Sequence, residues 1–191
     1  MMLATFRRLF KGKPNKSQCN AKVRWVAEAI YISAAFQDRA RSAATELGPE
    51  AIETLAELFH SEHTPPPELK DQFPGLGQWI SARQFAIFEI FYFCGAPALS
   101  VLRRTAFGEY DWTQGNAIEI LCRLAADGIE SSQIIEELKT HLPAMREEAH
   151  YYAAGPLAKQ AKGNVKLNEI VNQLLMVPEF KESYEHVVQS A

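Results

Sequence analysis

Residues 114–141 read QGNAIEILCRLAADGIESSQIIEELKTH, two runs with apolar residues every three or four positions, separated by an Asp-Gly pair. This spacing places the apolar side chains on one face of an α-helix. Glycine is the residue that most often ends a helix. The stretch therefore predicts two consecutive amphipathic helices. The first begins at a capping box of Asp111 and Gln114 and ends before Gly128, and the second covers residues 131–141.

The helical spacing extends over most of the chain, and no segment has the alternating apolar pattern that predicts a β-strand. The 191 residues suffice for one domain with a continuous core but are short for two. The sequence thus predicts an all-α domain with at least eight helices and no sheet. Three consecutive prolines predict a loop at residues 65–74, and further helical segments are expected at residues 21–47 (interrupted near Gln37), 49–60, 78–94, 97–106, 143–162, 166–176 and 178–189.

A short motif, R/Q-x-x-A, recurs along these segments at residues 83–86, 114–117 and 146–149, with spacings of 31 and 32 residues. A fourth copy stands at residues 24–27, about two periods earlier. Each copy is followed by an apolar helix, a Gly/Pro break and a second helix. Helix pairs whose apolar faces are too large to be buried within one pair are stabilised by stacking on their neighbours.

This pattern resembles the HEAT-like repeat superfamily, in which an arginine three residues before an alanine marks the first helix of each pair. The resemblance covers residues 21–176 and implies a short right-handed α-solenoid of antiparallel helix pairs. It also implies packing roles for Arg83 and Arg146. Gln114 departs from the motif and the proline loop interrupts one repeat, which leaves an irregular helical bundle as the alternative. We expect a basic N-terminal segment at residues 1–20, carrying a short amphipathic helix, and a single helical-repeat domain at residues 21–191.

Charge is distributed unevenly along the chain. Residues 1–24 carry seven Lys and Arg and no acid, so the remainder holds 13 Lys and Arg against 23 Asp and Glu, a net charge of −10. Residues 46–62 contain five glutamates and no Lys or Arg, and residues 109–137 contain seven acids against Arg123 alone. An acidic surface of this kind favours a basic partner.

Few residues are arranged for chemistry. The three cysteines lack metal-ligand spacing and are expected to be buried thiols of a cytoplasmic protein. His60 and His63 flank Glu62, but a metal needs further ligands on the same face, so we interpret this group as a solvated helix end. Glu89 lies in an apolar run, where it either pairs with an arginine or faces solvent. We predict no catalytic residue, no metal site and no cofactor.

The sequence therefore favours a non-enzymatic protein-binding module with an acidic surface, and it indicates no particular oligomeric state. The partner would be another protein of basic character, and the module would act as an inhibitor, as an immunity protein against a basic toxin such as a nuclease, or as an adaptor. Aromatic residues on loops are frequent in binding hot spots. The alternative for the loop at residues 109–112 is a structural cap, with Asp111 at the start of the helix and Trp112 packed inward. The predicted partner-binding residues are Glu50, Glu53, Glu57, Glu109, Tyr110, Asp111 and Trp112.

Two other classes remain as alternatives. Some HEAT-like proteins are DNA glycosylases that use Trp and Asp in a basic groove, and this chain has Trp25, Trp79, Trp112 and Asp111. The acidic body argues against nucleic acid, because phosphate binding needs positive charge. The other alternative is a peripheral membrane scaffold that makes a weak contact with anionic lipid through residues 3–13, where phenylalanines and basic residues alternate.

Overall fold

The computed structural model of the chain describes residues 13–61 and 64–190. Over these residues the protein forms ten α-helices and no strand, which confirms the all-α class and the expected minimum of eight helices. The α-helices are α1 (Lys16–Ala27), α2 (Ser33–Leu47), α3 (Ile52–Ala56), α4 (Leu76–Cys94), α5 (Leu99–Phe107), α6 (Gln114–Ala126), α7 (Ser131–His141), α8 (Glu147–Ala161), α9 (Val165–Leu174) and α10 (Pro178–Ser190). Short 3₁₀ turns lie just before α3, α5 and α8, and another lies in the proline-rich loop at Pro67–Leu69.

The chain divides into two compact units, residues 1–94 and 95–191. In the first unit, α4 packs against α1 and α2. Its apolar residues are buried nearly all round the helix, and Phe88 stacks on Phe59 with ring centroids 4.8 Å apart. The rings of Phe73 and Trp79 have centroids 4.9 Å apart and are tilted by 59°. These aromatic contacts are part of the core of the unit, together with buried aliphatic side chains such as Leu55 and Ile87.

In the second unit, α6 is central and packs against α5, α7, α8 and α9. Gly115 lies where α6 and α8 approach most closely, since a Cβ on it would stand 2.4 Å from Cβ of Tyr152. Gly128 ends α6 with a positive φ of 88°. The N–H groups of Gly128 and Ile129 donate to the carbonyls of Ala125 and Leu124, which is the hydrogen-bond pattern of a Schellman motif. The predicted end of this helix is confirmed.

Two predictions about helix boundaries are wrong. The segment at residues 21–47 is interrupted at residues 28–32, not near Gln37, and its first helix already begins at Lys16. The capping box of Asp111 and Gln114 does not form, because α6 begins only at Gln114 and its N-cap residue is Thr113. A short helix is also expected within residues 1–20, on the apolar stripe of Phe6, Leu9 and Phe10. These three residues lie outside the part of the chain that the structure describes, which begins at residue 13.

The four copies of the R/Q-x-x-A motif share a buried alanine, at Ala27, Ala86, Ala117 and Ala149. Their first residues have different environments. Arg24 forms ion pairs with Glu28 and Glu68 at the surface, whereas Arg83 is only 3% exposed. Gln114 is buried, and Arg146 is exposed immediately before α8. Because Arg83 is buried and Arg146 is exposed, the two arginines do not share the packing role that the resemblance implies.

Of the helices in the part of the chain that the structure describes, none is both long enough and apolar enough to cross a membrane.

Candidate functional site

The loop between α5 and α6, residues 108–113, is held in place by its own hydrogen bonds. The buried side chain of Gln114 donates from Nε2 to the carbonyls of Gly108 and Glu109, at 3.0 and 3.4 Å. Asp111 Oδ1 accepts from the N–H of Thr113 at 2.7 Å. Gly108 accommodates the close turn, because a Cβ there would stand 2.5 Å from the carbonyl oxygen of Arg104. These bonds hold the backbone of the loop, on which Glu109, Tyr110 and Trp112 are exposed and Thr113 is buried.

Tyr110 is the centre of a charged and aromatic surface on this loop. The guanidinium of Arg146 lies over its ring, 4.6 Å from the centroid. The pKa of Tyr110 is raised, first by loss of solvent around the phenol and then by the negative charge of Glu148, with Arg146 opposing. Tyr152 and Asp111 also act on this phenol, so the start of α8 and the loop lie side by side.

Three aromatic side chains remain exposed here. The exposed fraction is 39% for Tyr110, 40% for Trp112 and 52% for Tyr152. We call the set formed by these aromatics and the neighbouring acids the aromatic–acidic surface. Its members are Glu109, Tyr110, Asp111, Trp112, Glu148 and Tyr152.

A groove of about 290 Å³ opens beside Tyr110. One wall is formed by Phe107 and His141, whose rings stack with centroids 4.4 Å apart and an interplanar angle of 17°. The opposite wall carries the contact between Tyr110 and Arg146. The groove is lined in addition by Gln114, Met145, Ala106, Gly108 and Ala144.

Four of the predicted partner-binding residues lie together on one loop of the second unit, and the other three lie in the first unit. Glu109, Tyr110 and Trp112 are exposed on the loop, and Asp111 is half-buried beside them. Glu50, Glu53 and Glu57 are exposed in the first unit, around the short helix α3. The opposite face of α3 is buried through Ile52 and Leu55, as its two-faced pattern predicts.

Sequence reasoning does not find the residues that complete the surface or those that line the groove. Glu148 and Tyr152 of the surface and His141 and Met145 of the groove lie about 30 to 40 positions after the loop in the chain. Only packing of α6 against α7 and α8 brings these residues close to the loop. The single sequence signal is the motif period, which relates Gln114 to Arg146.

The residues that the sequence singles out for chemistry, namely the three cysteines, Glu89 and the group at His60, have the following positions in the structure. Burial raises the pKa of each thiol, for Cys94 to about 11, whereas a nucleophilic cysteine needs a lowered pKa. Glu89 is buried on α4, so the alternative in which it faces solvent is wrong. His60 is exposed, and Glu62 and His63 lie outside the described residues. Among residues 13–61 and 64–190, no group of three or more His, Cys, Asp or Glu side chains could hold a metal ion.

Comparison with known proteins adds no relative. No protein-family model, curated protein or solved structure matches this chain. The function must therefore be argued from the site itself.

Proposed function

We propose that this protein is a non-enzymatic protein-binding module, and that a basic segment of its partner docks on the aromatic–acidic surface. The observation that supports this proposal is the exposure of Tyr110, Trp112 and Tyr152 beside Glu109 and Glu148. Exposed Tyr and Trp side chains supply large contact areas at a low cost in rotamer entropy. The adjacent carboxylates supply complementarity to Lys and Arg.

The hydrogen bonds that hold the backbone of the loop favour binding over a merely solvated turn. Ordering a flexible loop on association costs about 0.5–1.5 kcal/mol for each immobilised side chain. Gln114 and Asp111 already fix the backbone of this loop in the free protein. A partner would therefore meet a surface whose backbone is already ordered by folding.

Two of the arginines outside the basic N-terminal segment are engaged with acids and so offer little free positive charge to a nucleic acid. Arg103 donates to Glu137 and Glu130, both at 2.7 Å, and Arg123 pairs with Glu119 at 3.2 Å. Trp79, one of the aromatics of the glycosylase alternative, is buried. These positions support a protein partner over a phosphate backbone.

The finer description remains part of this proposal. We infer a HEAT-like solenoid of helix pairs, for which the four buried motif alanines are the support. We also infer a cytoplasmic protein that acts as an inhibitor, an immunity protein or an adaptor. The three free cysteines fit a reducing compartment.

Quantitative affinity capture from the source organism tests the proposal. We compare wild type, the double variant Trp112→Ala/Tyr152→Ala and the control Met176→Ala, which removes an exposed apolar side chain just after the end of α9. A partner that is retained by wild type and the control and lost by the double variant supports the proposal. A set of captured proteins that is the same for all three contradicts it.

A further inference from the structure

The groove beside Tyr110 is the right size for one side chain. Its volume of about 290 Å³ lies at the lower end of the ~300–1,000 Å³ range of pockets that hold drug-sized ligands. A nucleotide cofactor would need more room, and a single large side chain of a docked partner would not.

The walls of the groove select the chemistry of that side chain. The stacked rings of Phe107 and His141 and the pair of Tyr110 and Arg146 are planar groups, and Met145 adds a polarisable thioether. Within the part of the chain that the structure describes, none of the residues lining the groove is acidic, and Arg146 is cationic. A Lys or Arg side chain entering it would meet a like charge.

An aromatic ring meets these walls better. It gains stacking contacts with rings, a cation–π contact with a guanidinium and a sulfur–aromatic contact with Met145. The rim has the opposite character, since the negative charges of Glu148 and Asp111 act on the Tyr110 phenol and the exposed Glu109 precedes it in the loop. The groove therefore suits an aromatic residue and the rim suits the basic residues on either side of it.

We propose that the groove lined by Phe107, Tyr110, His141, Met145 and Arg146 is a pocket for an aromatic side chain that is flanked by basic residues in the partner. This inference rests on the proposed function, because it names the feature of the basic partner that the second unit recognises. The groove supplies the preference for an aromatic residue, and the rim supplies the general attraction for basic segments.

Titration of isotope-labelled protein with the peptides Lys-Lys-X-Lys-Lys, where X is Trp, Leu or Ala, tests this by NMR. The Trp peptide is expected to bind about tenfold more tightly than the Ala peptide, a ratio typical of one buried aromatic anchor. The Leu peptide should lie between them. The shifts caused by the Trp peptide should include Phe107 and Met145.

Variants separate the inference from the proposed function. His141→Ala/Met145→Ala should abolish most of the preference for Trp and leave binding of the Ala peptide unchanged, whereas Met176→Ala should change neither. Glu109→Lys should weaken all three peptides equally. Equal affinity for the Trp and Ala peptides would overturn the aromatic pocket and leave the basic-partner surface standing. Absence of binding by every peptide would overturn both.

Discussion

At the scale of single residues, Arg83 carries a charge into the core of the first unit. Its side chain is almost fully buried, and Nη2 has no hydrogen-bond partner within the described part of the chain. Burial lowers its pKa to about 10, so it stays protonated at neutral pH. A buried charge that has no opposite charge beside it lowers the free energy of unfolding, because the charged group loses its hydration when the protein folds.

We expect Arg83→Met to leave the free energy of unfolding unchanged or to raise it by up to about 2 kcal/mol, because methionine fills a similar volume without a charge. Urea denaturation of the two proteins measures the difference. Arg24→Met is the matched control at the equivalent motif position. Its ion pairs are exposed to solvent, so their loss should change the free energy of unfolding little. Destabilisation by Arg83→Met of more than about 2 kcal/mol would show that the guanidinium stabilises the fold.

At the scale of helices, the contact of α6 with α8 depends on a glycine. A Cβ on Gly115 would stand 2.4 Å from Cβ of Tyr152 and 2.7 Å from the carbonyl oxygen of Ala149. Backbone atoms of α8 cannot withdraw without moving the helix. Gly115→Ala should therefore lower the free energy of unfolding by about 1–3 kcal/mol, although alanine is the better helix former.

Gly77→Ala is the control for this prediction. Gly77, like Gly115, is the second residue of its helix, but a Cβ added to it would have no neighbouring atom within 4 Å. Alanine there should stabilise the protein by up to about 1 kcal/mol. Thermal unfolding of both variants gives the comparison. If Gly115→Ala were as stable as wild type, the close approach of α6 and α8 would be wrong.

Helix boundaries show what the sequence can predict and why the rest escapes it. The sequence predicts α7 with both ends correct, because the glycine before it and its apolar spacing are local signals. The break after α1 has no such signal, since residues 29–32 are apolar and contain neither Gly nor Pro. Consecutive i→i+3 hydrogen bonds, such as Ala29 N–H to Val26 O, close this turn instead.

The capping box at α6 does not form because its side chains bond to other partners. Asp111 and Gln114 have the right types and spacing, but Asp111 bonds to Thr113 two residues on, and Gln114 reaches back to Gly108. A capping box of Asn15 and Gln18 does form at the start of α1. The sequence does not predict it, because Gly12 and Pro14 just before it indicate the end of a helix. Likewise the exposed loop is predicted from local sequence, whereas the groove depends on residues of α7 and its following turn that only tertiary packing brings there.

At the scale of the whole molecule, we expect the net charge to control the association rate of the partner and the direct contacts in the interface to control its dissociation rate. The pairs Glu53→Lys/Glu57→Lys and Glu109→Lys/Glu148→Lys each change the net charge from −3 to +1, since every reversal adds two charges. The first pair alters the acidic face of α3 in the first unit, and the second alters the aromatic–acidic surface. At low salt, where screening extends over about 30 Å, both should slow association with a basic partner to a similar degree.

At physiological salt the screening length falls to about 8 Å, and we expect the two variants to diverge. Glu109→Lys/Glu148→Lys should still slow association and should speed dissociation by about tenfold, because like charges would then face each other in the interface. Glu53→Lys/Glu57→Lys should approach wild type in both rates. Surface plasmon resonance across a salt series with the captured partner measures the rates, and thermal unfolding checks that both variants remain folded. Faster dissociation of the first-unit variant would place the face of α3 in the interface, and equal dissociation of all three proteins would remove the aromatic–acidic surface from it.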